Sequence, residues 1–375
     1  MTKIGLRNFW FQVHKWIGLI LAILIIPLCV TGALLVWDEA LDHSLNPQRY
    51  AVSGEQTVDP ARYVEAAKGV LARGDRIQSI TLPNGDGPVI VAAAAANAKP
   101  QAGPPSRINV WLDPPTARVL DKASSNSGLI RAMHQIHGTM LVPIWGRTIV
   151  GWLGVFMLFS CFTGIWLWWP TVGKWVRGLR WRRHRNLDTN LHHLFGFWIA
   201  LPLFVLSLTG AWISFPQFFG PLSGAKPQQG PDRAMMARAR PLEAPKTSLD
   251  TAIANARAAL PGEVATVAWP TDLKAEWTVT IGSGAGRQVK VDDATGAAKA
   301  GPPPKEDVAR LMRRIHDGTR MGFVWQLILF LGGLLPAILA LTGVIMWWRA
   351  RGWKAQLKAQ LKARQKARQK AKAAA

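Results

Sequence analysis

Four long uncharged apolar segments constrain the fold of this chain more than any other feature. They cover residues 17–37, 148–169, 194–215 and 324–348. Each is longer than the roughly 18–20 apolar residues that a helix needs to cross a hydrocarbon core about 30 Å thick. Lipid offers no hydrogen-bond partners to an open backbone, so helices are the expected structure of these segments. The sequence therefore predicts a mainly α membrane protein with four transmembrane helices and both termini on one side.

The basic residues predict the orientation of these helices. The net charge is +23, and Lys and Arg accumulate before the first span, between the second and third, and after the fourth. Asp188 is the only acidic residue in those three stretches. Under the positive-inside rule they are cytoplasmic, and the connections at about 38–147 and 216–323 face outward. Because the distribution of charge follows membrane topology, we expect no nucleic-acid partner. The basic tail is expected to be solvated or to contact anionic membrane lipids.

The first span is interpreted as an uncleaved membrane anchor and not as a signal peptide. Its apolar run of about 20 residues is long for a signal sequence, and no small-x-small cleavage site follows it. Cys29 and Cys161 both lie inside spans. Packing is their expected role there, and neither a disulfide nor a metal pair is predicted.

Similarity between the two halves of the chain indicates an internal duplication. The stretch "HKWIG" from His14 matches "HHLFG" from His192, which begins 178 residues later. The stretch "TGIWLWW" from Thr163 matches "TGVIMWW" from Thr342, which begins 179 residues later. Each copy contains two spans, so both copies have the same orientation in the membrane. We predict two parallel repeats related by an axis along the membrane normal.

The outward connections are predicted to be small α+β modules, one in each repeat. A helical stretch ("DPARYVEAAKGVLA" or "SLDTAIANARAALPG") precedes short strands in each. Between two of these strands lies an Asp-x-x-Thr turn, Asp113 to Thr116 in the first module and Asp292 to Thr295 in the second. The stretches at 92–105 and 223–245 are rich in Ala, Gly and Pro and are expected to be flexible connectors.

These boundaries divide the chain into eight consecutive segments. Each outer module is long enough for one modest hydrophobic core. In order, the segments are a cytoplasmic N-terminus with the first span (1–37), a first outer module (38–133), the second span with a preceding histidine (134–169), a basic cytoplasmic loop (170–191), the third span (192–215), a second outer module (216–312), the fourth span with a preceding histidine (313–348) and a basic cytoplasmic tail (349–375).

The duplication selects four of the eight histidines. His14 is matched by His192, and His137 is matched by His316. The first pair is expected at the cytoplasmic end of the bundle and the second at the outer end, with each pair meeting across the two-fold axis. This arrangement predicts two bis-histidine sites stacked across the membrane. A hydrogen bond to lipid or backbone is the alternative role for any single one of them.

Each of the four spans also contains a Thr-Gly pair. From His14 to Gly32 is 18 residues, which corresponds to about 27 Å of helix. The Thr-Gly of one helix is therefore expected near the level of histidines on other helices, where a glycine would let a flat ligand approach the backbone. Close helix packing is the alternative role. The glycines concerned are Gly32, Gly164, Gly210 and Gly343.

Haem b is the ligand that best fits two histidines at each level. Imidazole binds zinc, copper and haem iron. Zinc sites take three or four protein ligands, whereas each level offers two histidines and the spans contain no carboxylate. Two axial nitrogens complete the coordination of a porphyrin iron, which favours electron transfer. No Cys-x-x-Cys-His is present for covalent attachment, so two haems of the b type are predicted.

Other residues near these positions are secondary candidates. His134 lies one helical turn before His137 and is either the alternative ligand or a group that hydrogen-bonds near it. His193 follows His192 directly and is a weaker candidate of the same kind. Cations expected to meet haem propionates, or alternatively lipid headgroups, are Lys15, Arg147 and Arg320.

The motifs together resemble those of the PepSY-associated transmembrane family. They are the duplicated His-x-x-x-Gly and Thr-Gly of the first and third spans, and the Ile-His and Thr-Gly-x-x-x-Trp-Trp of the second and fourth. Within this family the chain is most similar to iron-regulated inner-membrane reductases of ferric siderophores. The likeness covers about residues 8–350.

The resemblance implies a bacterial inner-membrane protein that holds two b-type haems and reduces Fe(III) of a siderophore in the periplasm. The outer modules would then be periplasmic and PepSY-like. By position, His14 and His192 would bind the iron of the cytoplasmic-side haem, and His137 and His316 that of the periplasmic-side haem. No Gly-x-Gly-x-x-Gly follows a predicted strand, so no fused nicotinamide domain is expected. The electron donor is left open between a cytoplasmic reductant and a quinol.

Two other classes of function remain as alternatives. A metal or siderophore transporter would use the histidines as transient ligands, although ion-coupled transport commonly needs a carboxylate within the spans. A non-catalytic sensor would bind peptide or protein through its outer modules. It would be colourless, and His14 and His316 would be dispensable.

Overall fold

A computed structural model describes residues 2–83, 85–96, 107–170, 174–181, 183–222, 239–282, 286–304 and 307–373. Most of the connectors expected at 92–105 and 223–245 lie outside these ranges. The chain divides into two compact units, which are described separately below. The membrane unit comprises Met1–Val36, Met133–Gly224 and Val308–Ala375, and the sheet unit comprises Trp37–Ala132 and Ala225–Asp307.

Helices make up most of the described chain. Four of them, α1, α5, α6 and α10, are long and apolar enough to cross a membrane, with mean hydropathies between 1.9 and 2.7 over their most apolar windows. Only a third of each window is buried inside the chain, which leaves a large apolar surface for lipid. The helices are α1 (Lys3–Leu35), α2 (Asp38–Leu45), α3 (Pro60–Lys68), α4 (Leu129–Thr139), α5 (Gly146–Trp168), α6 (Leu187–Ser214), α7 (Pro216–Leu222), α8 (Leu249–Ala259), α9 (Val308–Asp317) and α10 (Gly322–Ala373).

Small residues allow the membrane helices to pack closely. A Cβ on Gly154 of α5 would lie 3.1 Å from the Ser207 carbonyl oxygen of α6. A Cβ on Gly333 of α10 would lie 2.8 Å from the Cys29 carbonyl oxygen of α1. In lipid, close backbone approach and dispersion contacts drive helix association, since the surroundings are as apolar as the side chains. The glycines therefore determine how near these helix pairs come.

The helix boundaries differ from the simple spans of the sequence analysis. The segment at 134–169, predicted as the second span with a preceding histidine, forms two helices, α4 and α5, with positive φ angles at Met140, Leu141 and Ile144 between them. A similar break with positive φ at Gly318 separates α9 from α10. The short helices α4 and α9 therefore carry the histidines that precede the spans. In contrast, α1 begins 11 residues before His14, and α6 begins 5 residues before His192.

The sheet unit contains one eight-stranded antiparallel sheet. Its order is β4-β3-β2-β1-β5-β6-β7-β8, and the central pair, β1 and β5, joins Ile80 to Val267. The sequence predicted one α+β module in each half, and the structure unites the strands of both halves in one sheet. The strands are β1 (Arg76–Thr81), β2 (Val89–Ala94), β3 (Arg107–Leu112), β4 (Val119–Ser124), β5 (Val264–Ala268), β6 (Glu276–Ile281), β7 (Arg287–Asp292) and β8 (Ala298–Ala300).

Helices α3 and α8 pack against one face of this sheet and form its core. Tyr63 of α3 and Trp277 of β6 are fully buried there, among valines and isoleucines of the strands. Alternation of buried and partly exposed residues along β6 is typical of a sheet with one covered face. This single apolar cluster spans strands from both halves of the chain.

Each half of the sheet contains a hydrogen-bonded Asp-x-x-Thr turn. The buried carboxylate of Asp113 accepts hydrogen bonds from the Ser53 backbone and hydroxyl, both at 2.7 Å, and from the Thr116 hydroxyl. Asp292 accepts from the backbone and hydroxyl of Thr295, both at 2.8 Å. Burial alone would raise the pKa of Asp113, but the hydrogen bonds from Thr116 and Ser53 more than offset it, and the pKa lies below its usual value.

Candidate functional site

The membrane unit brings four of the eight histidines together as two pairs. The ring centroids of His14 on α1 and His192 on α6 are 6.4 Å apart. Those of His137 on α4 and His316 on α9 are 6.1 Å apart. Each pair therefore joins residues from the two halves of the sequence. These are the four histidines that the sequence analysis selected.

The Nδ1 atoms of three of these histidines contact threonine hydroxyls. His14 lies 2.8 Å from Thr163 Oγ1 on α5, and His192 lies 3.0 Å from Thr342 Oγ1 on α10. These two contacts support both members of the first pair. The corresponding atom of the second pair, Nδ1 of His316, lies 3.0 Å from the hydroxyl oxygen of Thr209 on α6.

The fourth histidine has a different partner. Nδ1 of His137 donates to the Leu28 carbonyl oxygen of α1 over 2.9 Å. With this contact, every one of the four imidazoles uses Nδ1 for a hydrogen bond inside the protein. Their Nε2 atoms are therefore the nitrogens available for a metal. Histidine ligands in metalloproteins have this arrangement, with the second nitrogen held by a carbonyl, carboxylate or water.

A Thr-Gly pair lies beside each imidazole, and its glycine makes room for the ring. A Cβ on Gly32 would lie 2.5 Å from Cε1 of His137, and one on Gly210 would lie 3.1 Å from Cε1 of His316. For Gly164 the distance to Cε1 of His14 would be 3.3 Å, and for Gly343 the distance to Cε1 of His192 would be 3.5 Å. These glycines were expected near the level of histidines on other helices, where they would admit a flat ligand. The structure places a histidine ring beside each of them.

The spacing of the two pairs fits a metal held between imidazoles. An imidazole nitrogen lies about 2.0–2.1 Å from a bound metal and about 1.1 Å from its own ring centroid, so two imidazoles on opposite sides of one metal have centroids about 6.3 Å apart. The measured distances are 6.4 and 6.1 Å. All four histidines are half-buried. The residues present therefore fit one metal group at each pair.

The protonation state of the second pair also suits metal binding. Burial lowers the pKa of His316 to about 4, and the nearby His137 lowers it further in the same direction. Burial likewise lowers the pKa of His137, against the opposing effect of the Leu28 carbonyl. Neutral imidazole carries the lone pair that a metal requires. The lowered pKa values of both rings favour this neutral form.

The secondary histidine candidates lie outside the two pairs. His134 is exposed on α4 and is close enough to His137 to affect its charge. The ring of His193 packs against His184, with centroids 4.4 Å apart. Neither ring belongs to the two pairs whose centroids lie 6.4 and 6.1 Å apart.

Two of the three candidate cations contact protein groups, and the third is exposed. Lys15 donates to the Gln12 side chain and lies 4.8 Å from the Trp16 ring centroid. Arg147 donates to the Ile213 carbonyl at 2.5 Å. Arg320 is exposed in the turn before α10 and has a φ of 61°. Lys15 and Arg147 thus stabilise local structure in the described part of the chain.

The sequence analysis missed the role of three threonines and one leucine carbonyl. The threonines are part of a Thr-Gly motif that was recognised for its glycine alone. Leu28, Leu206 and Leu339 each lie three residues before such a threonine, while the remaining copy has Ser160. The recurrence of Leu-x-x-Thr-Gly at the far end of the spans was the available signal. The contact itself depends on how the helices are placed around the histidines.

The fold and site define an α-helical membrane protein in which paired histidines join the two halves of a helical unit. The profile of the PepSY-associated TM region matches residues 11–350 of the chain. The protein therefore belongs to the PepSY-associated transmembrane family, as its motifs suggested. Comparison with curated protein sequences finds no match.

Proposed function

We propose that this protein is a di-haem b electron-transfer protein that reduces ferric siderophores in the periplasm. The observation that carries the proposal is the presence of two histidine pairs, 6.4 and 6.1 Å apart, with every Nδ1 engaged in the protein. The two Nε2 atoms at each pair would hold one haem iron. A haem held by two histidines would supply one-electron transfer at each site.

The residues of the chain hold the two sites at fixed positions. His14 and His192 would bind one haem, and His137 and His316 would bind the other. Because α1 contributes His14 to one site and the Leu28 carbonyl to the other, a single helix supports both. The same holds for α6, which carries His192 and Thr209. A rigid connection of this kind keeps the two sites at a constant separation.

A duplication of the chain accounts for the similar surroundings of the histidines. The contact of His14 with Thr163 and that of His192 with Thr342 join equivalent motifs of the two halves. Within the sheet unit, the turns at Asp113 and Asp292 are closed by equivalent hydrogen bonds to carbonyl oxygens five residues later, both at 2.9 Å. These paired contacts support two parallel repeats of one ancestral unit.

The orientation follows from charge. The basic loop between α5 and α6 and the basic end of α10 would be cytoplasmic in a bacterial inner membrane, with both termini on that side. The His14–His192 pair would then lie toward the cytoplasm and the His137–His316 pair toward the periplasm. The basic end of α10 would contact anionic lipid.

The proposed reaction is a one-electron reduction of chelated iron. A cytoplasmic reductant or a quinol would give one electron on the inner side, and Fe(III) of the siderophore would become Fe(II) on the outer side. Hard oxygen donors bind Fe(III) more strongly than Fe(II), so the reduction weakens the chelate. The His137–His316 pair lies on α4 and α9, outside the four spanning helices. That position favours contact with a polar chelate.

The visible spectrum of the purified full-length protein tests this function. We expect a Soret band, sharp α and β bands after reduction, and two haems per chain in the pyridine haemochrome assay. Stopped-flow mixing of the reduced protein with a ferric siderophore should reoxidise the haems, with Fe(II) trapped by ferrozine. A colourless protein from cells with adequate haem would contradict the proposal and favour a sensor. A haem protein that binds ferric chelates without reoxidation would contradict the reductase activity alone.

A further inference from the structure

We propose that the hydroxyl groups of Thr163, Thr209 and Thr342 fix the tautomer of the histidines that they contact. Each hydroxyl would hold the proton of its histidine on Nδ1 and thereby keep the lone pair on Nε2. For haem ligation the inference rests on the proposed function, but the tautomer itself is a property of the chain. The threonines are positioning residues, since they act through His14, His316 and His192.

The hydrogen bonds of the threonines determine the direction of each contact. The Thr209 hydroxyl lies 2.8 Å from the Val205 carbonyl and 3.1 Å from the Leu206 carbonyl of its own helix. A carbonyl oxygen can only accept, so the single hydroxyl hydrogen of Thr209 is directed to the backbone. The oxygen is then left to accept from His316, and the proton of that contact belongs to Nδ1.

The same reasoning applies to the other pair. Thr163 donates to the Phe159 carbonyl over 2.9 Å, and Thr342 donates to the Ile338 carbonyl over 2.9 Å. Each hydroxyl oxygen is thereby left to accept from the imidazole on the facing helix. All three threonines are buried, so water does not compete for their oxygens. The Thr163 hydroxyl is therefore the acceptor for Nδ1–H of His14. His192 and His316 also make backbone hydrogen bonds to the Leu339 and Leu206 carbonyls beside their threonines, so His14 is the histidine on which the role of the hydroxyl is tested.

The fourth Thr-Gly motif provides a control within the same chain. Thr31 donates to the Pro27 carbonyl over 2.6 Å and to the Leu28 carbonyl over 3.1 Å. Its neighbouring histidine, His137, donates directly to the Leu28 carbonyl. Thr31 is as buried as its counterparts and makes the same bonds to its own helix. A purely helix-stabilising role would make all four threonines equivalent, whereas a tautomer role sets Thr31 apart.

Loss of a threonine hydroxyl has a defined consequence for its histidine. Valine has nearly the shape of threonine but cannot accept the Nδ1 proton, so the Nε2–H tautomer becomes accessible. That tautomer has no lone pair on Nε2 and cannot bind a metal there. Loss of such a supporting hydrogen bond typically weakens metal binding by about 10–100-fold.

The first test measures the tautomer in the haem-free full-length protein. Solid-state NMR of protein labelled with 15N-histidine distinguishes Nδ1–H from Nε2–H imidazole, and His14→Gln assigns the signal. We expect His14 to be Nδ1–H in the native chain and in Thr163→Ser, and to gain Nε2–H in Thr163→Val. Thr31→Val should leave the signal of His137 unchanged. An unaltered His14 signal in Thr163→Val would overturn the inference, whether or not the protein binds haem.

The second test uses the haem-loaded protein and potentiometric titration. Thr163→Val should shift the reduction potential of one haem upward and lower its retention about 10-fold or more, because a weaker donor stabilises Fe(III) less. Thr209→Val should affect only the other haem, and by less, because His316 keeps its hydrogen bond to the Leu206 carbonyl. Thr163→Ser and Thr31→Val should affect neither haem. Equal shifts in Thr31→Val and Thr163→Val would show a general packing effect and contradict the tautomer role. A native protein without haem would contradict the proposed function but leave the NMR result decisive.

Discussion

His14 and His192 are separated by 178 residues of sequence, yet their imidazole centroids lie 6.4 Å apart with ring planes at 85°. Direct hydrogen bonding does not hold them together, because each ring uses Nδ1 to contact a threonine on another helix. The rings are therefore placed by the helices and not by each other. A pair of ligands that is preorganised in this way loses little entropy when it binds a metal group between its members.

Removal of one histidine should eliminate one haem and leave the other. In His137→Ala, one of the two proposed haem sites would lose one of its two histidines, whereas His14 and His192 belong to the other site. We expect the haem content to fall from about two to about one per chain and reduction of ferric chelates to be lost. Pyridine haemochrome analysis and ferrozine trapping measure the two effects.

A matched control for this variant is His134→Ala on the same helix. His134 is exposed and lies one turn before His137, so its removal should retain two haems. If His134→Ala lost a haem while His137→Ala kept both, His134 would be the ligand and the assignment made here would be wrong.

Substitution of the glycines beside the histidines should have graded effects. A Cβ at Gly32 would lie 2.5 Å from a ring that Leu28 holds in place, so His137 must move in Gly32→Ala. At Gly343 the nearest ring atom would lie at 3.5 Å, an ordinary contact. We expect Gly32→Ala to weaken retention of one haem about 10-fold or more and Gly343→Ala to resemble the native protein. Visible spectra recorded while apomyoglobin competes for the haem measure the difference in haem retention. Equal loss of haem from the two variants would contradict the expected difference between Gly32 and Gly343.

Two adjacent glycines of α10 should differ in their importance for helix packing. In Gly333→Ala, the new Cβ would meet backbone atoms of Cys29 and Ala33 at 2.8 and 2.9 Å, and neither can move aside without shifting α1. In Gly332→Ala, the close neighbour is the end of the Leu206 side chain, which can rotate.

We expect Gly333→Ala to destabilise the bundle by about 1–3 kcal/mol and Gly332→Ala by less than 1 kcal/mol. Thermal unfolding in detergent, followed by the helical signal in circular dichroism, gives the difference in Tm. A larger effect of Gly332→Ala would show that α1 and α10 are not packed as described.

Acid should weaken the turn that Asp113 stabilises in the sheet unit. Its pKa is lowered in the folded state, so the stabilisation is present above the unfolded pKa of about 3.9 and is lost as the pH falls through the folded value. Asp113→Asn removes the charge and should cost about 1–3 kcal/mol at neutral pH. Hydrogen exchange of the amides around Thr116, compared between pH 7 and a pH well below about 3.9, measures this, with Asp292→Asn as the control at an exposed turn. Equal protection in Asp113→Asn and the native protein would contradict the role of the carboxylate.

The parts of the fold that follow from local composition were predictable. The four spanning helices follow from the length of the apolar runs, and the family follows from the repeated motifs around His14 and His192. The break between α4 and α5 was also accessible, since Pro143 and Gly146 are signals that end or restart a helix. Apolar residues on both sides of Pro143 and Gly146 made these signals hard to recognise.

Other features depend on contacts that no single segment encodes. The pattern of β1 and β5 predicts strands with one covered face but does not reveal that these two strands are neighbours in one sheet. The contact of Thr209 with His316 likewise depends on the rotation of α6 relative to α9. Close packing of helices sets such contacts, and small residues such as Gly154 allow it without identifying the partner.

The pairing of β1 with β5 has a consequence for biosynthesis. Thr81 ends β1 and Val264 begins β5, about 180 residues later, with α5 and α6 between them. At a synthesis rate of about 5–20 residues per second, the edge of β1 stays unpaired for roughly 10–40 s while two helices enter the membrane. An exposed strand edge is a site for wrong association during that time. The nascent chain thus depends on the membrane insertion of its second half to complete the sheet begun in its first.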